Sequence, residues 1–150
     1  MPFMAKAKRR PKAPASAPVH EGTPCPCGLA RPYGECCGAI HTGRAAAPTA
    51  EALMRSRFAA FAVGDEPYLL RSWHPSTRPA RLGLDPAQHW LRLEVLATEG
   101  GTVFHSEGTV EFRAYFRERG QEDVLHERSR FVRDDGAWVY LDGGVGSDAE

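Results

Sequence analysis

Four cysteines fall within thirteen positions of this 150-residue chain, and there are no others. They lie in Cys25-Pro26-Cys27-Gly28-Leu29-Ala30-Arg31-Pro32-Tyr33-Gly34-Glu35-Cys36-Cys37-Gly38, a C-x-C pair and a C-C pair separated by eight residues. So short a segment cannot bury a hydrophobic core, so its folding free energy must come from elsewhere. Four thiolates suit one tetrahedral ion, and a bound metal would supply that free energy. Pro26, Gly28, Pro32 and Gly34 let the loop double back, and Cys36-Cys37 is expected to open a short helical turn whose free amides favour thiolates. Cys25, Cys27, Cys36 and Cys37 are therefore the expected metal ligands. Zn²⁺ is the default ion, one per chain, and a four-thiolate site also accepts iron. Two disulfides pairing the first couple with the second are the alternative, one that a reducing compartment disfavours. With every position filled by protein, the site is structural or a docking element rather than catalytic.

The formal net charge is zero, but it is unevenly spread. Residues 1–47 carry seven Lys/Arg and two Asp/Glu, giving +5; residues 48–150 carry twelve and seventeen, giving −5. Lys6, Lys8, Arg9, Arg10 and Lys12 form a short basic arm, a weak pointer to nucleic acid or an acidic partner. Residues 1–24 read as a disordered, basic Pro/Ala leader, because Pro2, Pro11, Pro14, Pro18 and Pro24 oppose regular structure. Met4 offers a second start. The remainder divides into a cysteine module at 25–41, a small-residue linker at 42–47, a core domain at 48–143 and a tail at 144–150. No apolar run is long enough to span a membrane, and the N-terminus lacks the apolar stretch of a secretory signal, so a cytoplasmic location is expected.

The core domain opens with a helix capped by Thr49, with Leu53, Met54, Phe58, Phe61 and Ala62 on one stripe and Gly64 as its stop. Asp65-Glu66-Pro67 restarts a shorter helix through Trp73, ended by His74-Pro75, and Asp85-Pro86 starts a further turn towards Trp90. The period then changes to two. Leu91/Leu93/Val95, Val110/Phe112/Ala114/Phe116, Leu125/Glu127/Ser129/Phe131 and Trp138/Tyr140 mark four strands, with turns at Gly100-Gly101, Arg119-Gly120 and Asp135-Gly136. Helices followed by an antiparallel sheet make an α+β domain, with the helices on one sheet face.

Parity also drives polar groups inwards. Arg57 falls within the arc of Met54, Phe58 and Phe61, with Arg55 at its margin, and Glu127 and Ser129 share a face with Leu125 and Phe131. A buried guanidinium needs a partner, so Arg57 or Arg55 is expected to pair with Glu127. These residues, with Trp73, would either fix the packing or line a pocket. His126 and Glu127 are adjacent in a strand and cannot form a dyad. His41 could hydrogen-bond a metal thiolate, and Tyr33 could cover the cluster.

The cysteine segment resembles the SEC-C motif, the metal-binding module found at the C-terminus of the translocation ATPase SecA and on many other proteins: the C-x-C, the following Gly, the Tyr and the C-C-G ending all match. Leu29-Ala30-Arg31-Pro32 replaces the usual Gly-Lys-Lys stretch. The strings Ala47-Pro48-Thr49-Ala50-Glu51, Leu53-Met54-Arg55-Ser56-Arg57-Phe58, Trp73-His74-Pro75, Val110-Glu111-Phe112, Leu125-His126-Glu127-Arg128-Ser129-Arg130-Phe131 and Trp138-Val139-Tyr140-Leu141-Asp142-Gly143 are similar to the YchJ-like family of bacterial proteins. That resemblance implies a cone-shaped domain similar to nuclear transport factor 2 behind the module, but no settled reaction. It also implies docking on a protein or ribosomal partner near protein export, with Arg31, Tyr33 and the arm as contacts and the sheet as a face for a homodimer. The alternative is a small-molecule enzyme of isomerase, dehydratase or hydrolase type in the cone. Docking ranks above it because no nucleophile–base pair or open metal position is legible.

Overall fold

The computed structural model describes residues 19–145, so the basic arm and residues 146–150 lie outside the described residues. A 3-10 turn at Tyr33–Glu35 and a short helix α1 (Cys37–His41) belong to the cysteine module. Helices α2 (Ala50–Val63) and α3 (Glu66–Arg71) precede strands β1 (Gln88–Gly100), β2 (Glu107–Glu118), β3 (Gln121–Asp134) and β4 (Ala137–Val145). The strands form one antiparallel sheet in the order β1-β2-β3-β4, with both helices against its inner face. This is the α+β cone that the sequence leads one to expect.

Local chemistry accounts for most of the element limits. The Thr49 hydroxyl accepts from the Ala52 amide at 3.0 Å and opens α2. The Asp65 carboxylate accepts from the Tyr68 amide and opens α3. Arg119-Gly120 and Asp135-Gly136 have positive φ at both residues. That is the conformation of a two-residue type I′ hairpin, whose twist matches its strands.

Three expectations need correction. Helix α3 stops at Arg71 rather than at His74, because Ser72–His74 is recruited by the sheet: the Tyr140 amide donates to the Ser72 carbonyl and the His74 amide to the Tyr140 carbonyl. After Asp85-Pro86 there is a single turn, and β1 has begun by Gln88. Leu91 falls at a bulge between Trp90 and Arg92, so Trp90, Leu93 and Val95 pack on the core and Leu91 is out of phase with them.

The helix α2 buries more than one stripe. Leu53, Met54, Phe58 and Phe61 enter the cone, while Ala62 is only half-buried. Ala59, away from that stripe, packs against the four cysteines. The module thus covers the back of α2. Among the described residues its hydrogen bonds begin at His20, within the segment read as leader: the Tyr33 amide donates to the Thr23 carbonyl and the Gly34 amide to the Glu21 carbonyl. Residues 42–47 also fold back, with the Ala45 amide on the Ala39 carbonyl and Arg44 on the Gly34 carbonyl.

Candidate metal centre

The C-x-C half of the cluster is held by a short two-stranded contact. Pro24 pairs with Pro32, the Cys25 amide donates to the Arg31 carbonyl at 2.9 Å, and the Gly28 amide donates back to the Cys25 carbonyl. The C-C half is held by α1, whose first residue is Cys37 and whose N-cap position is Cys36. The two halves meet with all four Sγ atoms within 4.8 Å of one another, and all four residues are buried. Cys27 Sγ and Cys36 Sγ are 3.6 Å apart. A disulfide needs about 2.05 Å, and the four thiols are free. Tetrahedral zinc–sulfur geometry places its sulfurs about 3.8 Å apart. The spacing therefore fits one shared ion.

Electrostatics point the same way. Thiol hydrogen bonds from Cys27 and Cys37 pull Cys25 down to about 2. Its thiolate then pushes Cys27 up to about 12 and holds Cys37 well above an ordinary thiol. Protein groups alone thus favour a thiolate at Cys25 and oppose one at Cys27 and Cys37, whereas thiolates at all four positions require a cation. Arg31 Nη2, 3.6 Å from Cys36 Sγ, adds a donor to the sulfur shell.

The role expected of His41 needs correction. Its Nε2 donates to the Ser56 carbonyl in α2 at 2.8 Å, which leaves Nδ1 to accept from the Tyr33 hydroxyl at 2.6 Å. Burial lowers its pKa, so the ring bridges module and cone as a neutral group. Tyr33 packs against the cysteines, as a cover would, but its hydroxyl is committed to His41. A Cβ on Gly38 would lie 2.7 Å from the Tyr33 carbonyl oxygen and 2.9 Å from its ring, so this fit requires glycine there. Replacing His41 by Leu is expected to lower stability by about 1–2 kcal/mol, by stranding the Tyr33 hydroxyl and weakening the seam. Urea unfolding of the metal-loaded protein checks this, and an unchanged midpoint would contradict it.

Arg55 stays outside the cone. Its Nε pairs with Glu51 at 3.0 Å and its Nη1 donates to the Cys27 carbonyl at 2.8 Å, so it ties α2 to the metal loop. Arg57 enters the cone and is fully buried. Its Nη1 donates to the Leu69 carbonyl and the Ser72 hydroxyl, and the guanidinium lies 5.2 Å from the Trp73 ring and 4.8 Å from the Tyr140 ring. Burial pulls Arg57 down to about 10, opposed by Tyr140, Tyr68 and Glu127. Glu127, itself buried, accepts from the Ser129 hydroxyl at 2.8 Å. The expected pairing thus takes a different form. Arg55 is engaged elsewhere, and Glu127 acts on Arg57 as a nearby charge while carbonyl, hydroxyl and ring contacts hold the guanidinium. Sequence parity found Arg57, Glu127 and Ser129 but missed Ser72 and Gly143. A Cβ on Gly143 would collide with the Glu127 carboxylate. The signal was present, since glycine inside a strand often marks a close approach.

His126 lies on the opposite sheet face from Glu127, where its Nε2 is 2.7 Å from Glu111. A hollow of about 230 Å³ opens around Gly100 and Gly108, and none of Arg57, Trp73 or Glu127 lines it. Among the described residues, no helix is long and apolar enough to cross a membrane.

Residues 49–143 match the model of the middle, NTF2-like domain of YchJ. A UPF0225 protein of Streptomyces coelicolor is 62% identical over 120 residues, which are 80% of this chain and 94% of that protein. A UPF0225 protein of Deinococcus radiodurans is 46% identical, over 89% of this chain and 96% of its own. The solution structure of a SEC-C motif containing protein from Rhodopseudomonas palustris superposes with a TM-score of 0.71 at 34% identity, covering 83% of this chain and 100% of that one. The crystal structure of a SEC-C motif containing protein from Psychrobacter arcticus gives a TM-score of 0.66 at 27% identity, covering 87% and 86%.

Proposed function

Because this chain belongs to the YchJ-like UPF0225 family, in which an NTF2-like domain accompanies a four-cysteine module, we propose that it is a docking protein whose metal holds a recognition turn in shape. The observation that carries this reading is the turn itself. Residues 28–32 are all exposed although they lie between two pairs of buried cysteines, and Leu29 is 40% exposed. A closed four-sulfur site offers no coordination position to a substrate, so the ion's work is to fix that turn. Leu29 gives an apolar contact, and Arg31 and the arm's lysines and arginines add attraction to an acidic surface. Tyr33 contributes less than its type suggests, since its hydroxyl is spent on His41.

The ion is one structural Zn²⁺, the usual occupant of a closed, tetrahedral set of four thiolates. The partner is a ribosome or an export chaperone in the cytoplasm, in keeping with the likeness of the module to that of the translocation ATPase. Two measurements test this. Native mass spectrometry with elemental analysis should find one zinc per chain; iron or a metal-free chain overturns the assignment. Sedimentation with ribosomes and gel filtration with the export chaperone SecB should show binding by the native protein to one of them. Leu29→Asp should keep its zinc but lose that binding. Binding by neither, or equal binding by the variant, overturns the docking role.

A further inference from the structure

Arg57 is 0% exposed, yet its N–H groups are only partly matched. A guanidinium carries five of them. Nη1 commits both of its hydrogens, one to the Leu69 carbonyl and one to the Ser72 hydroxyl oxygen. Nε and Nη2 form the paired edge that suits a bidentate acceptor, and among the described residues neither has a hydrogen-bond partner. The polar groups around them are already engaged. The Ser72 hydroxyl donates to the Tyr68 carbonyl at 2.7 Å, Trp73 Nε1 donates to the Thr77 hydroxyl at 3.1 Å, and the Ser129 hydroxyl donates to Glu127 at 2.8 Å. The Trp73 and Tyr140 rings, 5.2 and 4.8 Å from the guanidinium carbon, attract the cation as a whole. They offer no lone pair to an individual N–H. The Tyr140 hydroxyl makes no full hydrogen bond either. Burial, and then the charge of Glu127 nearby, hold its phenol well above the ordinary value, so it stays a neutral O–H.

Buried polar groups of folded proteins are nearly all matched, and an unmatched N–H on a cation is among the costliest to leave. An acceptor therefore belongs at this edge, and charge selects its kind. Glu127 already acts on Arg57 as an opposite charge. A second anion would set two negative groups against one guanidinium inside the cone. A metal ion is repelled by N–H donors. A neutral oxygen remains. The hollow beside Gly100 and Gly108 is not lined by Arg57, Tyr140 or Glu127, so it brings no larger molecule to this edge. Water is the smallest neutral oxygen acceptor, and a buried water typically makes about three hydrogen bonds to groups of this kind.

We propose that the Nε–Nη2 edge of Arg57 holds one buried water molecule, which donates its two hydrogens to the Glu127 carboxylate and the Tyr140 hydroxyl oxygen. Guanidinium, water and carboxylate then form one chain, and the pairing of Arg57 with Glu127 is completed through it. The site is separate from the metal module and independent of the docking role. NMR of the full zinc-loaded chain tests it. The Arg57 Nε–H should show a rotating-frame dipolar cross-peak to a water held for longer than the protein takes to tumble. Oxygen-17 relaxation dispersion of the solvent should count one more long-lived water in the native protein than in Arg57→Met/Glu127→Leu, with thermal melting verifying that the variant folds. Tyr140→Phe keeps the ring and should shorten the residence of the water about fivefold, the factor that one net hydrogen bond contributes. An Nε–H that contacts ring protons and no water overturns the proposal, as do equal water counts or an unchanged residence in Tyr140→Phe. A saturable shift of the Nε resonance on adding chloride or formate also overturns it, because the occupant would then be an anion.

Discussion

Stripping the ion with a strong chelator is expected to unfold residues 20–45 while the cone remains folded. The module's apolar cluster consists of its four cysteines, Tyr33 and a single alanine from α2. A structural zinc site supplies about 10–16 kcal/mol of apparent binding free energy, far more than so small a cluster could replace. Without the ion, thiols held within 4.8 Å must share protons or oxidise. Hydrogen exchange resolves the outcome: the Cys25, Tyr33 and Gly34 amides, which bond to Arg31, Thr23 and Glu21, should exchange within the dead time after chelation. Amides of Val110 and Phe112 in the centre of the sheet should stay protected. The cone should also melt at a lower temperature, since Ala59 and Ser56 on the back of α2 become bare. Protection of the module amides in chelated, reduced protein would show that contacts with the cone suffice and that the ion is dispensable.

The second large effect lies inside the cone. Arg57→Met removes a fully buried cation, leaves the Ser72 hydroxyl and the Leu69 carbonyl short of a donor, and takes a nearby positive charge away from Glu127, which is 1% exposed. Leaving a buried charge uncompensated costs about 3–5 kcal/mol, a large share of the 5–15 kcal/mol that holds a typical domain together. Glu127→Leu strands the opposite charge and should cost a comparable amount. The double variant Arg57→Met/Glu127→Leu should recover much of the loss, because apolar groups of similar volume often replace a buried charge pair at little cost. Urea unfolding of all four proteins gives the cycle. Strictly additive losses would mean that the two groups do not sense each other.

Much of this architecture was legible because its signals are local. Thr49, Gly64, Asp65 and the two dipeptide turns each act within a few residues, and strict alternation in β2 and β3 separates Phe112 and Glu127 from Arg113 and His126. The clustering of the four cysteines was legible for the same reason. What failed depended on distant partners. Ser72 cannot announce that it will bond to Tyr140, nor Leu91 that Trp90 will displace it at a bulge. His41 looked like a neighbour of the sulfurs by position in the chain, yet it faces Ser56, on a helix packed against it only in three dimensions. Arg55 seemed to belong to the interior because it lies next to the buried stripe. The module on the back of α2 is what claims it.

The sheet order β1-β2-β3-β4 repeats the order of synthesis, and each strand is hydrogen-bonded to the one made just before it. Growth from one hairpin to the next therefore needs no crossing connection. Closure of the cone is a different matter: Arg57 is synthesised well before Glu127 and Tyr140, the groups that make its burial tolerable. The cone of a nascent chain must hence wait for β4 before Arg57 is enclosed by its partners.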